Sequence, residues 1–93
     1  MRQVKDFVES HPAAGAPLKH WTNAVERSEW KHPSELKTAF GAADFFGDLT
    51  IFDVGGNRYR LIAFVHYRQQ IVYIKSILTH KDYDRGNWKH ADY

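Results

Sequence analysis

The stretch "LTIFDVGGNRYRLIAFVHYRQQIVYIKSIL", residues 49–78, decides the fold. Hydrophobic residues alternate along it with a period of 2. β-Branched and aromatic residues fill the runs "LTIFDV", "RYRLIAFVHY" and "IVYIKSIL", as half-buried strands require. The interruptions "GGN" and "RQQ" are short, and the glycines of "VGGNRY" tolerate the positive φ angles of tight hairpin turns. The spacing therefore predicts three antiparallel strands joined as a meander.

Register turns this meander into a site. If "RQQ" is a three-residue loop, Tyr67 faces Ile71, and the ladder runs through His66 with Val72, Ile62 with Ser76 and Arg60 with Leu78 to Arg58 with His80. Arg58, Arg60 and His80 then share one face. A loop one residue longer or shorter puts the arginines and the histidine on opposite faces, because a single slip inverts every side chain. Tyr59, Leu61, Ala63, Val65 and Tyr67 form an apolar row on the other face, suited to lie beneath helices.

Upstream, the period is close to 3.6. Val4, Phe7, Val8 and His11 recur at helical spacing until "HPAAGAP" breaks the pattern. Pro17 suits a first turn, and Leu18, Trp21, Ala24 and Val25 mark one face of a second helix. "HPSELKTAFG" repeats the device, with Leu36 and Phe40 four apart and Gly41 available as a left-handed C-cap. Trp21, Trp30, Phe45 and Phe46 are expected in the core. Trp88 and Tyr93 lie on a polar tail, where they either pack back onto the sheet, contact RNA or stay exposed. The layout is α+β: helices first, packed on one face of a small antiparallel sheet, in one domain spanning residues 1–93.

The totals narrow the function classes. Hydrophobic residues make up 43% and charged residues 26%, near the globular averages, so the chain is expected to fold. No apolar run approaches the roughly 20 residues that cross a bilayer, and "MRQVKDFVES" has no apolar segment of the kind a signal peptide carries. Without cysteine there are neither disulfides nor thiolate zinc sites, which fits a reducing cytoplasm. The six histidines show no HxxxH or HExxH spacing, so no metal or other cofactor is expected. Net charge is +2, but from Gly55 onward seven Lys and Arg stand against three Asp. A basic half with interleaved aromatics suits a polyanion such as RNA, or simply a solvated sheet edge.

The last strand discharges into "ILTHKDYDRG", residues 77–86. Thr79 and Asp82 match a capping pattern for a short helix, which needs no function. Capping leaves His80 and Tyr83 unexplained. They lie three apart, on one side of a helical turn, and in the assumed register they rise beside two guanidinium groups. Such cations would favour the neutral, proton-accepting imidazole. RNA strand scission needs a group to take the 2′-hydroxyl proton, cations to hold the phosphate, and a group to protonate the leaving oxygen. His80, Arg60 with Arg58, and Tyr83 or Lys81 can supply these. The alternative for His80 is a histidine bonded to a nearby carbonyl.

"ESHPAAGAPLKHW", "EWKHPSELKTAFG", "VGGNRYRLI" and "THKDYDRG" occur in an order and at a spacing that resemble HigB-type toxins of the RelE superfamily, over nearly the whole chain. The resemblance implies a RelE-like fold and a type II toxin: a metal-independent endoribonuclease that cuts mRNA, generally in the ribosomal A site. It implies as partners mRNA, the ribosome and a HigA-type helix-turn-helix antitoxin, with operator DNA reached only through that antitoxin. By position, Arg60 matches the arginine aimed at the scissile phosphate, and His80 and Tyr83 match the terminal histidine and tyrosine. Lys37 matches a basic position suited to the RNA backbone. Arg58 and Lys81 are expected to hold RNA. A toxin-like module that binds RNA or antitoxin without cutting is the alternative. Relatives commonly open on a short strand, and Met1 falls where that strand would have ended. The sheet is therefore expected to have three strands, with an N-terminal edge strand missing or late.

Overall fold

The computed structural model describes residues 2–90, so Tyr93 lies outside the described residues. Helix α1 (Arg2–Ser10) is followed by a 3-10 turn at Pro12–Ala14, then α2 (Gly15–Glu26) and α3 (Pro33–Ala39). Four strands come next: β1 (Asp44–Phe46), β2 (Leu49–Val54), β3 (Tyr59–His66) and β4 (Ile71–Thr79). A short helix, α4 (His80–Arg85), and a 3-10 turn at Asn87–His90 complete the described chain. Among the described residues, no helix is long and apolar enough to cross a membrane.

The α+β layout with helices on one face holds, and the strands form one antiparallel meander in the order β1-β2-β3-β4. The fourth strand is not N-terminal. It is β1, in a segment for which no strand was expected: Phe46 pairs with Leu49 and Asp44 with Ile51 across the Gly47–Asp48 turn. Three residues are too few to display a period, and a strand this short is visible only through its partner. Gln3 in α1 lies against the opposite edge, where its amide donates to the Ile74 carbonyl at 3.2 Å.

The β3–β4 ladder departs from the expected register and then returns to it. His66 pairs with Ile71 and Ala63 with Ile74, so the loop has four residues rather than three. A bulge between Ile62 and Ala63, opposite Lys75, then absorbs one residue. From Ile62 with Ser76 to Arg60 with Leu78 the pairing is the expected one. The extra loop residue and the extra bulge residue cancel, so Arg60 keeps the relation to α4 on which the site depends. Gln70, in left-handed conformation at φ 57, anchors the loop. Its amide donates to the carbonyls of Trp30 and Tyr67, both at 2.6 Å.

Between helices and sheet lies the main core. Phe52 is fully buried, with its ring centroid 5.2 Å from Trp21 and 5.3 Å from Phe40. Leu18, Leu36 and Leu61 are also fully buried there. Trp21 and Trp30 belong to this core as expected, whereas Phe45 and Phe46 do not: they are 45% and 42% exposed on the edge strand. Gly41 is not the left-handed cap of α3. The helix ends on Phe40, and Lys37 reaches forward instead, its ammonium donating to the Gly41 and Ala43 carbonyls at 2.7 and 2.6 Å.

The other sheet face carries a second, smaller cluster of Ile51, Ile62 and Trp88, with Leu49, Leu78 and Tyr83 against it. Trp88 therefore packs back onto the sheet, only 5% exposed. Its ring lies on the face that also presents Arg60.

Candidate active site

The site begins at the β2–β3 turn. Gly55, Gly56 and Asn57 all have positive φ, and Val54 pairs with Tyr59 across a four-residue loop. The backbone can turn there because two of the three residues lack a Cβ and the third is asparagine. Asp53 stands directly opposite Arg60 in the ladder. Its Oδ1 accepts from the Arg60 guanidinium at 3.2 Å and from the Asn57 backbone N–H at 2.6 Å. Asn57 Oδ1 accepts a further hydrogen bond from Arg60 Nη2. With the Tyr59 carbonyl, 3.4 Å from Nη1, three anchors thus hold a cation whose side chain is only 15% exposed, with Asp53 at 22%.

The open side of that guanidinium meets Tyr83. The Arg60 Cζ lies over the phenol ring, 5.2 Å from its centroid. Trp88 supports the ring from behind, stacked 5.1 Å away at 12°, and donates from its indole Nε1 to the Tyr83 carbonyl at 3.0 Å. Burial pushes the Tyr83 hydroxyl above its ordinary pKa of 10.0. The Asp44 carboxylate adds to the rise, Arg60 opposes it, and Asp84 adds a smaller push. The group is a neutral phenol at physiological pH.

Helix α4 sets His80 one turn before Tyr83. Thr79 is its N-cap, accepting from the Asp82 N–H at 3.2 Å, and Gly86 closes it in left-handed conformation at φ 76. The cap is real, so Thr79 and the Asp82 backbone take the bland role, while the Asp82 side chain pairs with Arg85 at 3.7 Å. The His80 N–H donates to the Arg58 carbonyl at 2.9 Å, tying the helix start to β3. The imidazole is half exposed at 46%, and its Nε2 lies 3.0 Å from Asp84 Oδ2. The charged partner of that ring is an anion, where the expected register had suggested cations.

Of the residues singled out from sequence, Arg60 and Tyr83 are in contact, His80 stands one turn before Tyr83 on α4 with Asp84 as its side-chain partner, and Lys81 is exposed on the same helix. Arg58 sits at the turn but folds back on it: Nε donates to the Gly55 carbonyl at 3.1 Å, and Cζ lies 5.8 Å from the Tyr59 centroid. Lys37 stands apart, engaged by the Gly41 and Ala43 carbonyls just beyond α3. Sequence reasoning missed Asp53, Asn57, Asp84 and Trp88. The signal for Asp53 was present, since it is the one charged residue in "LTIFDV" and falls opposite Arg60 once the turn is placed.

The chain matches the HigB toxin family, described as the RelE-like toxic component of a toxin-antitoxin system, over residues 14–86. That range contains Arg60, His80 and Tyr83. It is 35% identical over 86 residues to the mRNA interferase toxin HigB of Escherichia coli K12, a match covering 89% of this chain and 83% of that protein. The mRNA interferase HigB of Shigella flexneri is similar to the same extent. That of Escherichia coli O6:H1 is 26% identical over 84 residues, covering 87% of this chain and 82% of the relative. With the family pattern spanning both the sheet and the Arg60–Tyr83 cluster, this chain belongs to the HigB family of RelE-like toxins.

Proposed function

We propose that this protein is the toxin of a type II toxin-antitoxin pair and an endoribonuclease that cleaves mRNA on the ribosome. The observation that carries the reading is one contact: a guanidinium fixed by Asp53 and Asn57 lies against a protonated phenol. Family membership and relatives named mRNA interferase support it. The antitoxin partner follows from the family's description. A HigA-type helix-turn-helix protein is the form proposed for it, with operator DNA bound through that partner and the cytoplasm as the site of action.

Cleavage uses the 2′-hydroxyl of the RNA itself. With Nε2–H directed at Asp84, His80 Nδ1 is the nitrogen left to accept the 2′-hydroxyl proton. The 2′ oxygen then bonds to phosphorus, and the bond from phosphorus to the 5′ oxygen breaks. Arg60 holds the phosphate and meets the charge that builds on its oxygens. Tyr83 delivers a proton to the departing 5′ oxygen. A phenol with a raised pKa is still far more acidic than an alcohol, and the neighbouring Arg60 stabilises the phenolate formed. The products are a 2′,3′-cyclic phosphate and a 5′-hydroxyl. Arg58 and Lys81, both exposed, hold the flanking backbone, and Lys37 does so after releasing its carbonyl partners.

Mapping transcript 5′ ends after brief induction tests this reading. New ends within translated regions, absent on induction of Arg60→Ala, are expected. Translation arrest without new ends would identify a binding protein instead of a nuclease.

A further inference from the structure

The sheet face that carries Arg60 is covered by Trp88 at its middle and is open beyond it. There Phe46 on β1, Leu49 on β2, Phe64 on β3 and Tyr73 on β4 fall in one row across all four strands, through the pairs Phe46 with Leu49, Leu49 with Phe64 and Phe64 with Tyr73. Phe46 and Tyr73 are 42% and 44% exposed, and the Phe64 and Tyr73 rings lie 6.3 Å apart. A groove of about 460 Å³ opens over the first three residues of this row, lined by Phe46, Gly47, Asp48, Leu49, Phe64 and Lys75, with the exposed Tyr73 ring beside Phe64. Lysines flank it: Lys75 at the bulge, and Lys89, whose ammonium lies over both the Phe46 and Trp88 rings at 5.6 and 5.7 Å. Asp48, exposed at the β1–β2 turn, is the one acid lining the groove.

We propose that this row is a base-stacking platform for single-stranded RNA beyond the scissile phosphate, with Phe64 and Tyr73 as the stacking rings and Lys75 and Lys89 as backbone contacts. The proposal rests on the nuclease reading and extends it. Exposed rings between cations are the combination that single-stranded nucleic acid selects, since every base has a π-face and every linkage a negative charge. A protein segment would equally use the apolar groove but would gain little from a lysine set over two ring faces and a second at the groove wall. The platform is continuous with the catalytic contact: Tyr83 stacks on Trp88, Trp88 meets Phe46 edge-on at 5.2 Å, and Phe46 lines the groove. Arg60 to Phe64 is four residues along β3, roughly 13 Å at the usual strand rise. A strand of a few nucleotides spans that distance, so bases next to the cut reach the rings.

The test uses the full-length protein and a fully 2′-O-methylated 12-nucleotide RNA, which cannot be cleaved, carrying 2-aminopurine at successive positions. On wild-type protein the fluorescence of one or two positions should be quenched by stacking. Phe64→Ala and Tyr73→Ala should each relieve that quenching and weaken binding about fivefold or more. Phe64→Leu keeps an apolar side chain and much of the volume without the aromatic face, so its effect separates stacking from misfolding. Unchanged binding and quenching in both alanine variants, while transcripts are still cut, would overturn the platform and leave the nuclease standing. Unchanged RNA binding with a weakened antitoxin complex would reassign the row to a protein partner and also overturn it. Quenching that depends on Phe64 without any cleavage of transcripts would support the platform and remove the nuclease reading.

Discussion

Asp53 faces Arg60 across the β2–β3 ladder, and its Oδ1 takes both the guanidinium and the N–H of Asn57. One carboxylate oxygen therefore fixes the turn and the cation together. Asp53→Ala leaves both donors without that partner in a half-buried setting, where loss of a charged hydrogen-bond partner costs about 1.5–3 kcal/mol. The variant should unfold at a lower urea concentration. It should also lose cleavage more steeply than Asp53→Asn, which keeps an acceptor oxygen for both donors and gives up only the charge.

Arg60→Lys keeps the charge and discards the fork. Lysine cannot reach Asp53 and Asn57 while also presenting a flat cation to Tyr83, so the phosphate loses an oriented partner. Cleavage by the lysine variant should fall about 10²- to 10³-fold, as for loss of a preorganised transition-state donor. A lysine variant of wild-type rate would show that charge alone suffices there.

Trp88 holds Tyr83 by its ring and by its N–H, and it fills the small cluster over Ile51 and Ile62. Removing a buried aromatic of this size costs about 3–5 kcal/mol. Trp88→Ala should be much less stable in urea denaturation. Trp88→Phe should keep most of the stability while cleavage drops, because the hydrogen bond to the Tyr83 carbonyl is gone.

Burial raises the pKa of Tyr83, and Tyr67 is raised for the same reason against a lowering hydrogen bond from Thr50. The folded state then holds these protons more tightly than the unfolded chain does. Their contribution to stability is fully present below the ordinary tyrosine value near 10.0 and is lost as pH climbs through the raised values. Stability measured by denaturant should be flat through neutrality, as far as these two groups act, and should fall on the alkaline side. Tyr83→Phe should make that alkaline fall shallower.

The alternating runs of β2, β3 and β4 were enough to show the sheet, its meander order and the face that carries Arg60. Less was legible where local signals were short or compensated. β1 spans three residues and is defined only by its pairing with β2. The exposed Phe45 and Phe46 read as core because hydrophobicity alone does not distinguish a covered strand from an edge. At the site, the pairing of Arg60 with Leu78 was correct although the loop length behind it was not. A bulge at Lys75 is silent in the hydrophobic pattern, yet it restores the parity that the longer loop removes. Asp84 at His80 is an i,i+4 pair within α4 that helical spacing already contained, whereas Trp88 behind Tyr83 depends on how the turn after α4 folds back, which periodicity does not encode.

Single-turnover cleavage of mRNA on programmed ribosomes, with Arg60→Ala, His80→Ala and Tyr83→Phe each matched to wild type for folding, tests the central claim most directly. A 2′,3′-cyclic phosphate is expected at the cut. The rate should fall about 10²- to 10⁴-fold in the His80 variant, as for loss of a general base, with large losses in the other two. A folded Arg60→Ala protein that cuts the same transcripts at the wild-type rate would contradict that claim.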